Sequence, residues 1–566
     1  MSQQQAHYLQ VEAVNIYATV FDTDQLSVIR GGSYLIAAAM TRLANRFKND
    51  LERLSVGASA GLYLIRRPAE AELIRAKVIN WLRKHPYYSL FTFAVVLSSE
   101  KDLSKAKPEL AAKIRFEQLR QLTTAPDIVH GTGHQPCALS NTRACQPGQY
   151  QPTIGGEGQQ VCPSVWRRLR IGRRLKTDQY LEILDAAQSI DQDRRARIGR
   201  FGYAPNLEQL ARSPSFGILN NKIAVIYLDG NGFGAIQRKY VTDPTTQQDF
   251  DETIRRQRAG FLATLLEALI DGEFQGTPLL DTRCASDDPA TAALRLETLL
   301  WGGDEMTLVV PAWLGFTVMQ LFYACAAKWD YKGLTYAGGL VFCHAHTPIA
   351  RMRHLAQDLA EGVKDWMKSR GESINGFDYM VLESIDYPVE TDLAQVWARR
   401  YGPVSRARTP LQPKVDATDP QADWFGTGRP VADRLLTGDG LSRGQVFRLA
   451  RQIAAWRPAV QADDLFGQPA IAAGCGAPPW DEDAPRDQDA LTPFERLELR
   501  LLALTEAAGS GDSSIRQDLP LLADQLGIPT NTPMERAWLW LHLAELWDYL
   551  VPQRDQQQAA SALEAS

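Results

Sequence analysis

A chain of 566 residues has room for about three or four domains with sizeable cores. Its formal net charge of −5 excludes a protein that coats nucleic acid by itself, so any RNA contact is expected to be local or shared with basic partners. Seven irregularly placed cysteines, no secretory signal and no apolar stretch near the roughly 18 residues of a membrane span lead us to expect a cytoplasmic location.

In chain order, residues 14–21 (VNIYATVF) are an apolar, β-branched run that predicts a strand ending in Asp22-Thr23-Asp24. Helical spacing predicts a helix over 33–47, with Arg30-Gly31-Gly32-Ser33 at its head. Residues 54–65 read as a hairpin turning at Gly57-Ala58-Ser59-Ala60, followed by a helix over 69–84 and a strand over 90–97. That order is βαββαβ, so residues 1–105 are expected to form one ferredoxin-like unit. A helical linker over 106–216 carries a stretch of different texture, 128–165, where His130, His134, Cys137, Cys145 and Cys162 lie among Gly, Pro, Gln and Thr. Next, Arg167, Arg168, Arg170, Arg173, Arg174 and Lys176 crowd one segment that could meet RNA or a phosphate. The run continues at Arg194, Arg195, Arg197 and Arg200 with Asp191 and Asp193 interleaved, which favours a solvated helix face.

The most informative residues follow. Ile223-Ala224-Val225-Ile226-Tyr227-Leu228 reads as a buried strand ending in Asp229-Gly230-Asn231-Gly232-Phe233-Gly234. Downstream, Trp301-Gly302-Gly303-Asp304-Glu305 lies between apolar runs, so glycines lift two adjacent acids on a tight turn. If that hairpin lies beside the first strand, Asp229, Asp304 and Glu305 converge as hard oxygen ligands for Mg²⁺ or Mn²⁺. Nucleotidyl transfer uses such clusters to activate a hydroxyl and neutralise leaving pyrophosphate. Residues 54–65 align with 299–310 as an internal repeat, which places Ser59 and Ala60 where the second copy has Asp304 and Glu305. Only the second copy keeps the acids. Asp22 and Asp24, without hairpin partners, are expected to be structural or to contact a second nucleotide.

These motifs resemble the palm domain shared by GGDEF cyclases and the large polymerase-like subunit of type III CRISPR effector complexes. Leu334-Thr335-Tyr336-Ala337-Gly338-Gly339 through Thr347-Pro348-Ile349, then Ala356, Leu359, Val363 and Lys364, favour the CRISPR branch, with Val363 in place of the usual Ala. Arg30-Gly31-x-Ser33 also resembles a stretch of that subunit's first palm. The resemblance implies an α+β fold. It has two ferredoxin-like (βαββαβ) palms, the first degenerate (1–105) and the second catalytic (217–395). A Cys/His-containing insertion lies between them, and a helical C-terminal domain (396–566) docks neighbouring subunits. It also implies an ATP-using nucleotidyltransferase that makes cyclic oligoadenylate in RNA-triggered antiviral defence. Gly302, Gly303, Gly230, Asn231 and Phe233 would line the nucleotide, and Lys364 would meet its triphosphate. Partners would be the other effector subunits, guide RNA and target RNA, with no membrane. The family's zinc-binding insertion falls at 128–165, but its paired cysteines are not intact. Cys137 is followed three residues later by Ser140, and Cys162 by Val165. His134, Cys137, Cys145 and Cys162 are the best tetrahedral set, and an unmetallated loop fits the spacing as well.

Two departures stand out: too few residues precede Val14 for the HD nuclease domain of many relatives, and the hairpin reads Gly-Gly-Asp-Glu rather than Gly-Gly-Asp-Asp. Other readings are a non-catalytic nucleotide- or RNA-binding scaffold, against which the intact acids argue, and a stand-alone GGDEF-like cyclase. The duplicated palm, and Met306 where that class has Phe, argue against the cyclase. Toward the C-terminus, 401–433 and about 466–489 read as long loops or linkers. Residues 435–456, 493–508 and 534–550 read as helices, the last with Trp540, Leu543, Trp547 and Leu550 on one face as a core stripe. The polar tail 556–566 is expected to fray.

Overall fold

In the computed structural model the described residues are 6–121, 135–455, 493–508 and 515–550, except 15, 58, 142, 146–147, 155–156, 175, 189, 285–292, 330, 384–392, 394, 397–409, 414–423 and 437–440. Two sheets organise them. The first contains β1 (Tyr8–Ala13), β2 (Leu51–Val56), β3 (Ala60–Ile65) and β4 (Phe93–Ser98) in the order β2-β3-β1-β4, antiparallel throughout. The second contains β5 (Lys222–Gly230), β6 (Glu297–Gly302), β7 (Glu305–Pro311), β8 (Tyr336–His344) and β9 (Gly376–Val381) in the order β6-β7-β5-β8-β9. Apart from β9, which pairs parallel to β8, the second sheet repeats the first strand for strand.

Register makes the repeat quantitative. Both hairpins carry a bulge at the same place: pairing slips between Arg53 and Ser55 in one, and between Thr298 and Leu300 in the other. The extra residues, Leu54 and Leu299, are both buried. Glu12 pairs with Ala60, and one step beyond Met306↔Leu228 the second sheet sets Asp229 opposite Glu305. Since Ala60 aligns with Glu305, Glu12 occupies the place of Asp229.

The strand expected over 14–21 is therefore corrected: β1 ends at Ala13, and Ile16–Val20 is a short helix. The true strand is half polar because its two faces meet different surroundings. Leu9, Val11 and Ala13 enter the main core, while Gln10 and Glu12 share a face with Tyr8 under α3 (Leu103–Arg120). Helix α1 (Leu26–Arg46) begins earlier than expected, so Arg30-Gly31-Gly32-Ser33 is inside it. The glycines permit a close helix crossing: a Cβ at Gly31 would lie 1.9 Å from the Arg168 carbonyl oxygen of α4 (Pro163–Arg174), and one at Gly172 would lie 1.8 Å from that of Ser27. Arg168 is not on a solvated face. It is fully buried and donates from Nη2 to both carboxylate oxygens of Asp22 at 2.9 Å, which gives Asp22 a structural role.

Helix α2 (Ala71–Lys84) completes the first unit, and α5 (Pro244–Asp271), α6 (Gly315–Ala326) and α7 (Ile349–Arg370) belong to the second. Each unit's first helix grips the other unit's hairpin. Ser33 of α1 donates to the Leu299 carbonyl at 2.9 Å, and Arg30 forms a buried two-pronged pair with Glu297 of β6. In return, Gln248 of α5 donates to the Arg53 carbonyl at 3.0 Å, and Asp251 accepts from the Val56 amide at 3.1 Å.

Beyond the sheets, Trp424–Gly428 and α8 (Arg429–Leu436) are helical, which corrects the loop expected to run to 433. Helix α9 (Arg443–Ala455) is separate from α8, so the single helix expected over 435–456 is two. Helices α10 (Pro493–Ala508), α11 (Ile515–Gln525) and α12 (Pro533–Leu550) follow, α11 without a sequence forecast. The face bearing Trp540, Leu543, Trp547 and Leu550 is buried in the core that also contains the second sheet's Ala224, Ile226 and Leu228. Tyr549 packs with its ring tilted 4.5 Å from Phe342 and donates to Glu383, which also binds Lys222. The segment expected over 466–489 and the tail 556–566 lie outside the described residues.

Candidate functional site

Strand β5 is buried along its whole length, and its alternation sends Ile223, Val225, Tyr227 and Asp229 to the face covered by α7. Gly339 lets that helix come close: a Cβ there would lie 1.8 Å from the Ala356 carbonyl oxygen. Lys364, two turns further along α7, pairs directly with Asp229. The β6–β7 hairpin closes with Gly302 paired to Glu305, and Gly303 adopts the left-handed position (φ 54°) that a two-residue turn requires. Asp304 then folds back against the end of β5, so that a Cβ on Gly230 would lie 3.1 Å from the Asp304 Cβ.

Asp304 adjoins Asp229, and Glu305 lies near enough to feel Asp229. Burial and the neighbouring Asp229 push the Asp304 carboxyl up to about 7, and in its protonated form Asp304 donates to Asp229. Glu305 is raised as well, first by burial and then by Asp229, against the opposing pull of Arg353. Arg353 sits on α7 with its guanidinium 4.9 Å from the Phe21 ring and 5.7 Å from Tyr227. Among the described residues, however, no three His, Cys, Asp or Glu side chains are arranged to hold a metal ion together. The expected three-oxygen cage is therefore corrected to Asp229 adjoining Asp304, with Glu305 alongside.

Of the remaining site residues, Gly302, Gly303 and Gly230 shape the tip. Asn231 is buried, its amide donating to Thr335 Oγ1 at 2.9 Å and the Ile374 carbonyl at 3.1 Å, which pins the chain leaving β5. Phe233, partly buried, packs on Phe250 at 4.9 Å at the margin of the core. In the first sheet Glu12 accepts from Gln118 of α3 at 3.0 Å, as Asp229 meets Lys364 of α7, so an amide replaces the ammonium. Sequence reading chose Asp22 and Asp24 for this place; only strand register exposes Glu12.

Cys137, Cys145 and Cys162 are buried together with Val28, Val161, Val165 and Leu169. The Cys162 amide donates to Cys137 Sγ at 3.4 Å, and Cys137 is held as the hydrogen-bond acceptor of the group, its thiol pulled down to about 4. His130 and His134 lie outside the described residues, which supply three sulfurs and no fourth ligand. The expected tetrahedral zinc set is not assembled among them.

No protein-family model and no curated protein matches the chain. Among solved structures it is similar to Csm1 of T. onnurineus, at 14% identity and TM-score 0.42, covering 97% of this chain and 70% of that one. Csm1–Csm4 cassettes also match. The complex with cA4 is 12% identical with TM-score 0.40 (95% and 71% covered), and that with one ATP is 14% identical with TM-score 0.41 (95% and 70% covered). Likeness at this level bears on neither activity nor partners. No described helix is long and apolar enough to cross a membrane.

Proposed function

We propose that the chain is a nucleotidyltransferase that joins ATP into cyclic oligoadenylate, with the two sheets acting as paired palms and the second as the reacting one. The observation that carries this reading is the meeting of Asp229, Asp304 and Lys364 at the tip of the second sheet. Two adjoining buried carboxylates are a costly arrangement in a protein with no use for them. Oxygen donors in this number suit Mg²⁺ or Mn²⁺, since Mg²⁺ is usually bound through one or two carboxylates plus substrate phosphates. Asp229 and Asp304 would hold the ion, with Glu305 beside them; bound there, it would lower the barrier to attack and neutralise the leaving pyrophosphate. Asp304 must lose its proton to take part, so proton and ion compete for it and metal affinity rises with pH.

The chain's own groups position the reactants. Lys364 reaches the carboxylates from α7 and would exchange Asp229 for a nucleotide phosphate. A 3′-hydroxyl of one nucleotide, held against the first palm, would give its proton to solvent as its oxygen attacks the α-phosphorus of another on the second. The O–P bond forms as the bond to the β-phosphate's bridging oxygen breaks, releasing pyrophosphate. Gln118 and Glu12 leave the first palm without a matched acid pair, consistent with binding there and chemistry at the second.

Incubation of the purified chain with labelled ATP or GTP and Mg²⁺, with and without a guide complex and matching RNA, tests the reading. Cyclic oligoadenylate made by the wild type and lost in Asp304→Ala supports it. No labelled product under any condition overturns it in favour of a binding scaffold, and cyclic dinucleotide from GTP alone overturns it in favour of a GGDEF-type cyclase.

A further inference from the structure

Helix α5 carries a second cation to the same tip, on the opposite face of the sheet from Lys364. Arg258 is only 7% exposed, yet its Nε and Nη1 have no hydrogen-bond partner. Its guanidinium lies 5.8 Å from the ring of Trp301, the residue that precedes the Gly302-Gly303 turn. Its charged and polar neighbours are Tyr336, Asp251, Asp304 and, repelling it, Arg255. Tyr336 Oη is likewise buried without a partner. Asp251 holds the Val56 amide at the first hairpin, so Arg258 lies on the helix that links the two turns. A buried guanidinium with unmet N–H groups is expensive unless an anion completes it. Nε–H and Nη1–H lie on different edges of the guanidinium, so a phosphate would take one of them together with an N–H of Nη2, and the flat Trp301 surface suits the planar group.

We propose that Arg258 is an anion-binding residue of this site and grips a phosphate of the nucleotide or of the departing pyrophosphate from the α5 face, while Lys364 approaches from the α7 face. The assignment of that phosphate to a nucleotide rests on the function proposed above; the anion site itself does not. Trp301 positions the guanidinium. The adenine and ribose are not contacted by Arg258, so the residue discriminates by phosphate and not by base.

Titration calorimetry of the intact chain with magnesium pyrophosphate tests this, comparing wild type with Arg258→Gln and Arg258→Lys, each checked by thermal unfolding. The expected result is a loss of affinity of at least about tenfold in Arg258→Gln and a smaller loss in Arg258→Lys, which keeps the charge but not the fork. If Arg258→Gln fails to fold, Arg258→Lys decides alone, with a loss of about threefold or more as the supporting result. Unchanged affinity in the folded variants, or no binding by the wild type, overturns the proposal. If anion affinity falls with Arg258→Gln while the wild type makes no nucleotide product, the anion site stands and the nucleotidyltransferase reading falls. If product forms normally and both variants bind pyrophosphate as the wild type does, the reverse holds.

Discussion

Replacing Asp304 by Asn should make the protein more stable and inactive at once. Asp304 titrates near 7 in the fold against 3.8 in an open chain. Below 3.8 it is protonated in both states and costs nothing. As pH rises from there to about 7 only the unfolded chain ionises, so stability drains away, and above about 7 the loss is complete. At about 1.4 kcal/mol per unit the full shift corresponds to roughly 4 kcal/mol. Burial is the first cause of the shift and the repulsion is shared with Asp229, so a net gain of roughly 2 kcal/mol is expected for the Asn variant. Asn keeps the shape and never ionises. Thermal unfolding in EDTA should therefore show the gap between Asp304→Asn and wild type widening from about pH 4 to about 7 and level above that, with the variant higher by about 4–8 °C at pH 8. Saturating Mg²⁺ should then raise the wild type and leave the variant in place. Equal midpoints at pH 8, or a difference that ignores pH, would refute the reasoning.

Three further outcomes follow from the geometry. Glu297→Gln leaves Arg30 buried with all of its partner's charge removed and should cost about 3 kcal/mol in urea unfolding; a cost under about 0.5 kcal/mol would show the pair to be dispensable. Gly230→Ala sets a methyl 3.1 Å from the Asp304 Cβ, so turnover should fall roughly tenfold to a hundredfold while the melting point barely moves; wild-type turnover would mean that Asp304 need not sit where it does. Gly339→Ala drives a Cβ to 1.8 Å from the Ala356 carbonyl oxygen, so α7 must lift. It should lower stability by about 3 kcal/mol and abolish binding that depends on Lys364, and a folded, fully active variant would contradict that packing.

The second unit was readable because its chemistry and its burial coincide. Residues 223–228 are apolar on both faces, since helices cover both, and the strand ends at the acid that matters. The bulge shared by Leu54 and Leu299 had already surfaced as the repeat between 54–65 and 299–310. The first strand was not readable in the same way. Gln10 and Glu12 sit under a helix that meets Glu12 with Gln118, so the partner that fixes Glu12 is about a hundred residues distant and leaves no local pattern. A β-branched run at 14–21 outscored them and folded as a turn and a short helix. Arg168 and Arg258 were lost among many exposed arginines. What separates them is burial, which depends on Asp22 in one case and on Trp301 in the other, and neither partner is near in sequence.

The reciprocal grip of α1 on β6 and of α5 on β2 makes the two hairpins a single lever. The Leu299 carbonyl, at the bulge just before the acidic turn, is tethered to Ser33 of the other half. Turning the first sheet would haul on that tether and shift the hinge from which Asp304 and Glu305 project. Any load applied to the first half, however distant from the carboxylates, is thereby geared to their separation.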